Sequence, residues 1–316
     1  MKLFGKSKKV HGWRAVSFHD DALRAVHIDR TNDGKPALLS ALTESRQGAQ
    51  GVTPLSRLAQ KWGGERCDTT TAIGVQHYHF LLLDKPNVPQ SELRAAVSWL
   101  VRDMVDFPVE EATIDVLAIP DDAQGFDAAR SMVAVVARSE PLRRLQAQFE
   151  ESQLGLTVID IPEMAQRNVA TLLESEGKGI ALLSFSERAG LLTFTARGEL
   201  YHARRIEMPI EVLAAPNETR RLAAWERLAL EVQRSIDYFV RQFHAVPLAR
   251  LALAPLDGVG AELTAFLREN LEVPVAMLDL AELIDMSAVP ELRDIAEQQR
   301  FYLPLGLALR QEEKVL

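Results

Sequence analysis

Ala15-Val16-Ser17-Phe18-His19-Asp20-Asp21-Ala22-Leu23-Arg24-Ala25-Val26-His27-Ile28 and Ala181-Leu182-Leu183-Ser184-Phe185-Ser186-Glu187-Arg188-Ala189-Gly190-Leu191-Leu192-Thr193-Phe194 are two copies of one pattern. Each sets a short polar stretch between two apolar runs, which reads as strand, tight turn, strand. The triplets that enter the turns, Ser17-Phe18-His19 and Ser184-Phe185-Ser186, hold no glycine and no carboxylate. A β-carbon therefore stands at every triplet position, which hinders close approach of the backbone to a ligand.

The chain of 316 residues is long enough for two domains. Hydrophobic residues at 47% and charged residues at 25% are ordinary globular values, which sets disorder aside. A net charge of −8 argues against broad nucleic-acid binding. Lys2, Lys6, Lys8, Lys9 and Arg14 run the other way, with no acid among them. They suit a solvated tail or weak contact with anionic headgroups, at ~1 kcal/mol per lysine near the surface. Cys67 is the single cysteine, so a reducing compartment is expected. No apolar run reaches the ~20 residues that span a bilayer, and the start lacks the apolar stretch of a secretory signal. The expectation is a cytoplasmic protein whose contact with a membrane is peripheral at most.

The first third reads β-rich, with strands over 13–18, 23–28 and 37–42, a turn at Asn32-Asp33-Gly34 and a short helix over 55–62. Strands over 69–75 and 77–83 are expected to pair across Gly74-Val75-Gln76, with Tyr78, Phe80, Leu81, Leu82 and Leu83 buried on both faces. Lys85-Pro86-Asn87-Val88-Pro89 breaks the chain and starts a helix carrying Leu93, Val97, Leu100, Val101 and Met104. Residues 85–161 read as a small α+β module inserted after a first subdomain of residues 1–84. The module has strands over 113–119, 132–137 and 156–161, a helix over 140–151 and an exposed turn at Asp121-Asp122-Ala123-Gln124-Gly125. A second domain over 162–300 follows, and residues 301–316 are expected to form a C-terminal helix packing back on the first domain. The plainest element is 217–243, where Leu222, Trp225, Leu228, Val232, Ile236, Phe239 and Phe243 recur at intervals of three and four. Strands and helices alternating around one hairpin per half predict an α/β protein of two related domains.

Four stretches carry a resemblance: Met1-Lys2-Leu3-Phe4-Gly5-Lys6 with Arg24-Ala25-Val26; residues 88–101 with Phe107-Pro108-Val109; Leu230-Glu231-Val232-Gln233-Arg234-Ser235-Ile236-Asp237-Tyr238-Phe239; and Gly306-Leu307-Ala308-Leu309-Arg310. In this order, over nearly the whole chain, they resemble the PilM-like type IV pilus assembly proteins. The resemblance implies an α/β, actin-like (ASKHA, FtsA/PilM-type) fold of two domains with ribonuclease H-like cores and an inserted small α+β module. In actin-like ATPases the two hairpins open with Asp-Ile-Gly, the Asp organising metal and water and the Gly admitting backbone N–H groups to phosphates. Both triplets here depart from that pattern. The departure points to the branch serving mannose-sensitive haemagglutinin (MSHA) pilus biogenesis and implies a scaffold that is not an enzyme. The family implies a protein docked under the inner membrane, gripping the cytoplasmic tail of a PilN-like (MshJ-type) partner among other pilus assembly proteins. The alternative is an ATP-binding switch in pilus assembly or in type II secretion, where the cytoplasmic domain of GspL has a related fold.

The resemblance places a nucleotide site, intact or reduced to a vestige, on residues of both halves. Ser17, His19, Asp20, Asp21 and Arg24 surround the first turn, and Ser184, Ser186, Glu187 and Arg188 the second. Asp20 and Asp21 could hold Mg²⁺ through water, and Arg24 takes the place of a phosphate-contacting Lys. Loops without both Gly and Asp lose the backbone nest, however, and solvent-facing turn residues are the plainer reading. Glu231, Arg234 and Ser235 match the helix that sandwiches adenine, and Gly258 and Gly260 partly match the glycine turn beneath it; an interdomain hinge is the plainer use. No cofactor is expected, with ATP and Mg²⁺ as the alternative. His77 and His79 find no third metal ligand at suitable spacing, and Gly177-Lys178-Gly179 lacks the remainder of a phosphate-binding loop. The partner surface is expected on Tyr78, Phe80, Leu82, Val133 and Val135, in a groove between the first domain and the module, where an extended peptide could add to a strand edge.

Overall fold

The computed structural model describes residues 9–30, 35–47, 52–63, 66–120, 131–175 and 177–311. Most of the basic start and the expected turns at 32–34 and 121–125 lie outside the described residues. In chain order the first elements are β1 (Lys9–Phe18), β2 (Ala22–Asp29), β3 (Ala37–Ser45), α1 (Pro54–Lys61), β4 (Arg66–Ala72), β5 (Tyr78–Asp84) and α2 (Leu93–Leu100). Next come β6 (Ala112–Ala118), β7 (Ser131–Arg138), α3 (Ser139–Glu151), β8 (Val158–Asp160), α4 (Pro162–Thr171), β9 (Gly179–Phe185), β10 (Gly190–Ala196) and β11 (Glu199–Ile206). The remainder is α5 (Ile210–Leu213), α6 (Glu218–Gln242), β12 (Leu248–Leu253), α7 (Gly260–Asn270), β13 (Val275–Met277) and α8 (Ile295–Ala308).

Two compact units result: residues 1–75, 139–165 and 280–316 in the first, 76–138 and 166–279 in the second. The first holds a sheet of order β3-β2-β1-β4-β8, the second one of order β11-β10-β9-β12-β13. In each, the first three strands form an antiparallel meander and the last two join parallel to the first strand. Parallel neighbours need a crossover, which is why α1 precedes β4 and α6 precedes β12. One five-stranded topology built twice is the duplicated ribonuclease H-like core of the actin-like fold.

In the first unit Val16, Leu23 and Ala25 pack against Leu55 and Leu58 of α1 and Phe149 of α3. Thr53 caps α1 by accepting from the Ser56 N–H at 3.1 Å, with Pro54 at the first helical position. On β1, β2 and β4 lies α8, capped by Asp294 and tied at its end by Arg310 to Asp160 at 2.6 Å. Gly306 lets α8 approach α4, since a Cβ there would stand 2.5 Å from the Ala165 carbonyl oxygen. In the second unit α6 is the central support. Asn217 caps it through the Arg220 N–H at 2.9 Å, and Trp225, Leu228, Val232, Ile236 and Phe239 sink into the core with Ala181, Leu183, Leu192 and Phe194. Each such burial stabilises by roughly 1.5–3 kcal/mol. Leu222, expected in that stripe, is exposed.

The module differs from expectation. The strands expected to pair across Gly74-Val75-Gln76 separate: β4 lies between β1 and β8, while β5 joins a three-stranded sheet of order β5-β7-β6. The module therefore starts at residue 76 rather than 85 and belongs to the second unit. Helix α3 and strand β8, assigned to it from sequence, complete the first unit, because β8 pairs with β4 and Phe149 fills that unit's core. The first unit also takes back the chain from residue 280, earlier than the expected helix at 301.

Candidate functional site

The first turn closes on itself. Phe18 pairs with Leu23, and the His19 N–H donates to the Ala22 carbonyl at 2.9 Å across Asp20 and Asp21. Ser17 is buried; its Oγ donates to the Arg24 carbonyl at 3.3 Å and lies 2.8 Å from His19 Nε2. With the hydroxyl proton on that carbonyl, the imidazole supplies its own Nε2 proton to Oγ. Burial, and next the Arg24 cation, lower the His19 pKa to about 4, so the ring is neutral at pH 7. Arg24 is held by Asp21 at 2.8 Å.

The second turn repeats this position for position. Phe185 pairs with Gly190, and the Ser186 N–H donates to the Ala189 carbonyl at 2.9 Å. Ser186 Oγ reaches the same carbonyl at 2.9 Å and accepts from the Ala189 N–H at 3.3 Å. Ser184 Oγ donates to Gln166 Oε1 at 2.5 Å. Gln166, buried on α4, places its Nε2 against the Leu182 carbonyl, the Leu191 carbonyl at 3.0 Å and Thr193 Oγ1 at 3.0 Å. Sequence reasoning missed this residue. No local pattern marks it, since Asn168 two residues on is a second buried amide of the same helix.

Glu231, Arg234 and Ser235 do come together, around an arginine the sequence did not single out. Arg204 of β11 pairs with the Glu231 carboxylate and lies 3.4 Å from Ser235 Oγ. Arg234 reaches Glu231 at 3.3 Å, and Ser235 Oγ donates back to the Glu231 carbonyl at 2.8 Å. The cluster ties the long helix to an edge strand of its own sheet. Gly258 and Gly260 stand apart from it, at the start of α7, which packs on β13 at the opposite edge of the sheet. Helix α7 meets α6 through Trp225 and Phe266, about 9 Å along the helix from Glu231. Gly258 has φ +70° and a Cβ there would meet nothing within 4 Å, whereas a Cβ on Gly260 would come 2.8 Å from Met277 Sδ. Among the described residues no three His, Cys, Asp or Glu side chains gather where they could hold a metal.

The face expected to meet a partner is used inside the second unit. Val133 is buried in that unit's main core, and Phe80 and Val135 pack against it. Tyr78 is buried, its hydroxyl accepting from Arg205, whose guanidinium lies 4.8 Å from the ring centre. Only Leu82, 47% exposed, remains open to solvent. The opposite face of the same sheet is covered by α2, with Leu83, Met132, Ala134 and Val136 against Leu93 and Val97.

No protein-family model matches the sequence, and no curated protein matches it. Among solved structures the fold is similar to that of a PilM–PilN type IV pilus biogenesis complex, at 18% identity, 96% coverage of this chain, 98% of that chain and a TM-score of 0.68. Weaker likenesses are to the cytoplasmic domain of EpsL, an inner membrane component of the Vibrio cholerae type II secretion system (11% identity, 65% and 75% coverage, TM-score 0.43), and to the ethanolamine utilization protein EutJ of Carboxydothermus hydrogenoformans (10% identity, 96% and 91% coverage, TM-score 0.45).

Proposed function

We propose that this protein is a non-catalytic scaffold of a type IV pilus biogenesis complex, an MshI-like component of the MSHA type that docks the cytoplasmic tail of a PilN-like (MshJ-type) inner-membrane protein. The observation that carries the reading is the pair of closed turns. Phosphoryl hydrolysis needs a carboxylate that organises metal and water, and backbone donors turned to the phosphates. At both places a serine hydroxyl is instead bonded inward, to the Arg24 carbonyl and to Gln166, and the third residue's N–H is bonded across its own turn. The pilus assignment is supported by a likeness that runs the length of both chains to the PilM–PilN complex, beside the sequence resemblance. Among the described residues no helix is long and apolar enough to cross a membrane. In this reading attachment at the inner membrane comes from the partner's tail. The lysines at 2, 6, 8 and 9 only assist, since a few positive charges give weak attraction that salt screens.

The test is phosphate release from ATP with Mg²⁺ by purified protein, together with calorimetric titration of the nucleotide. No turnover above a heat-killed control and no heat of binding are expected. Mg²⁺-dependent turnover that an Arg24→Ala variant loses would overturn the non-catalytic reading, and tight binding without turnover would favour the ATP-switch alternative. Cell fractionation addresses the scaffold: deleting the partner's tail should release the protein, whereas neutralising the four lysines should only weaken its attachment. Retention without any pilus partner, abolished by the lysine changes, would refute it.

A further inference from the structure

The outer face of α2 presents Trp99, 72% exposed. The module's own packing runs through the other side of the helix, where Leu93, Val97 and Val101 meet the three-stranded sheet. Outward, at helical spacing, stand Glu92, Ala95, Trp99 and Arg102, all exposed. The face extends past both helix ends, because Glu92 and Val101 keep helical backbone angles.

This face is complementary to itself. Turned end over end about Val97, a second copy sets Ala95 opposite Trp99 and Arg102 opposite Glu92. Large meets small and acid meets base, and a two-fold axis makes each contact twice. A parallel arrangement would instead set Trp99 on Trp99 and like charge on like charge. We propose that α2 pairs antiparallel with α2 of a second copy, so that the protein forms a two-fold dimer through the module. Arg102 is able to change partner, since its present one, Glu110 at 3.6 Å, is in an exposed pair of the kind that contributes little. A helix face about 16 Å long and 10 Å across is smaller than the roughly 800 Å² per partner of a standard interface. The dimer is therefore expected at tens of micromolar and above rather than at nanomolar concentration.

The pairing predicts an outcome that a merely structural role for these side chains does not. Glu92→Arg places like charges opposite each other in the homodimer, and Arg102→Glu does the same with the opposite sign. Mixed in equal amounts, the two variants restore both ion pairs. Sedimentation velocity of the full chain from about 10 to about 500 μM, the range suited to so small a contact, should show reversible dimerisation of the parent. Each single variant should dimerise at least several-fold more weakly, their mixture should recover, and Trp99→Ala should remain monomeric with an unchanged melting temperature. A parent that is monomeric throughout would overturn the proposal and leave the face to a different protein. So would charge variants that self-associate like the parent, or a mixture no stronger than its components.

Discussion

Gln166→Glu replaces one NH₂ by one oxygen and leaves the side chain's shape unchanged, so its effect isolates the hydrogen bonding around the second turn. Nε2 faces two carbonyl oxygens, of Leu182 and Leu191, and the Thr193 hydroxyl. A carboxylate has no proton to give them; Thr193 can rotate its hydroxyl to donate, but the two carbonyls are left against a negative charge. Two lost bonds at about 1 kcal/mol each and the burial of a charge give a loss of roughly 3–5 kcal/mol at pH 8, a large share of the ~5–15 kcal/mol that holds a domain folded. Burial and facing oxygens both raise the variant's carboxyl pKa above its unfolded value. The penalty is therefore full above the folded pKa and shrinks as pH falls through it, when the protonated acid can donate to one carbonyl. Urea unfolding of parent and variant at about pH 8 and about pH 5, each compared with the parent at the same pH, reads this directly. A variant within about 0.5 kcal/mol of the parent at pH 8, the usual spread for a surface change, would refute the network, as would a penalty that grows on acidification.

Three further outcomes follow from the packing. His19 and His202 both have pKa values lowered to about 4 from 6.5, chiefly by burial; stability should thus be full above pH 6.5 and fall toward pH 4, and His19→Gln should flatten part of that decline in melts across the range. Ile236→Asp puts a carboxylate into the stripe of α6 and should cost several kcal/mol; a soluble variant with the parent's melting temperature would mean that the stripe is not core. Gly306→Val drives a side chain into the Ala165 carbonyl, where overpacking of about 1–3 kcal/mol or more is expected, and an unchanged melting temperature would show that α8 and α4 are not in close contact.

What sequence made legible follows from where the physics is local. The stripe from Trp225 to Phe243 and the two hairpins are set by periodicities of 3.6 and 2, and both stand in the fold. Leu222 departs because it lies about 60° round the helix from Trp225, at the edge of the buried stripe. The module was misread because strand pairing is non-local. Nothing in residues 69–83 distinguishes two strands that pair with each other from two that part, one to β1 and one to β7. The same ambiguity placed the partner surface on Tyr78, Phe80, Val133 and Val135. An apolar strand face reads the same whether it awaits a peptide or packs on its own unit's core, and here it packs. Gln166 was invisible for a related reason: its four partners lie 16 to 27 residues away, on strands whose register no local pattern supplies.

The closed turns lead to a last prediction, because polar groups left over in a ligand-free fold are costly. A buried donor or acceptor without a partner costs ~1–3 kcal/mol, so a site shaped around phosphate is destabilised when empty and gains when filled. In this chain Ser17, His19, Ser184 and Ser186 find hydrogen-bond partners within the protein, and nucleotide has no such deficit to repair there. Fold stability should therefore be indifferent to ATP. A nucleotide with a Kd one hundredth of its free concentration would add ~2.7 kcal/mol, or about 4 °C in a chain of this size. Melting with and without millimolar ATP and Mg²⁺ distinguishes the cases. An unchanged transition is expected, and a rise of several degrees that requires both ATP and Mg²⁺ would mean that the turns open to admit phosphate.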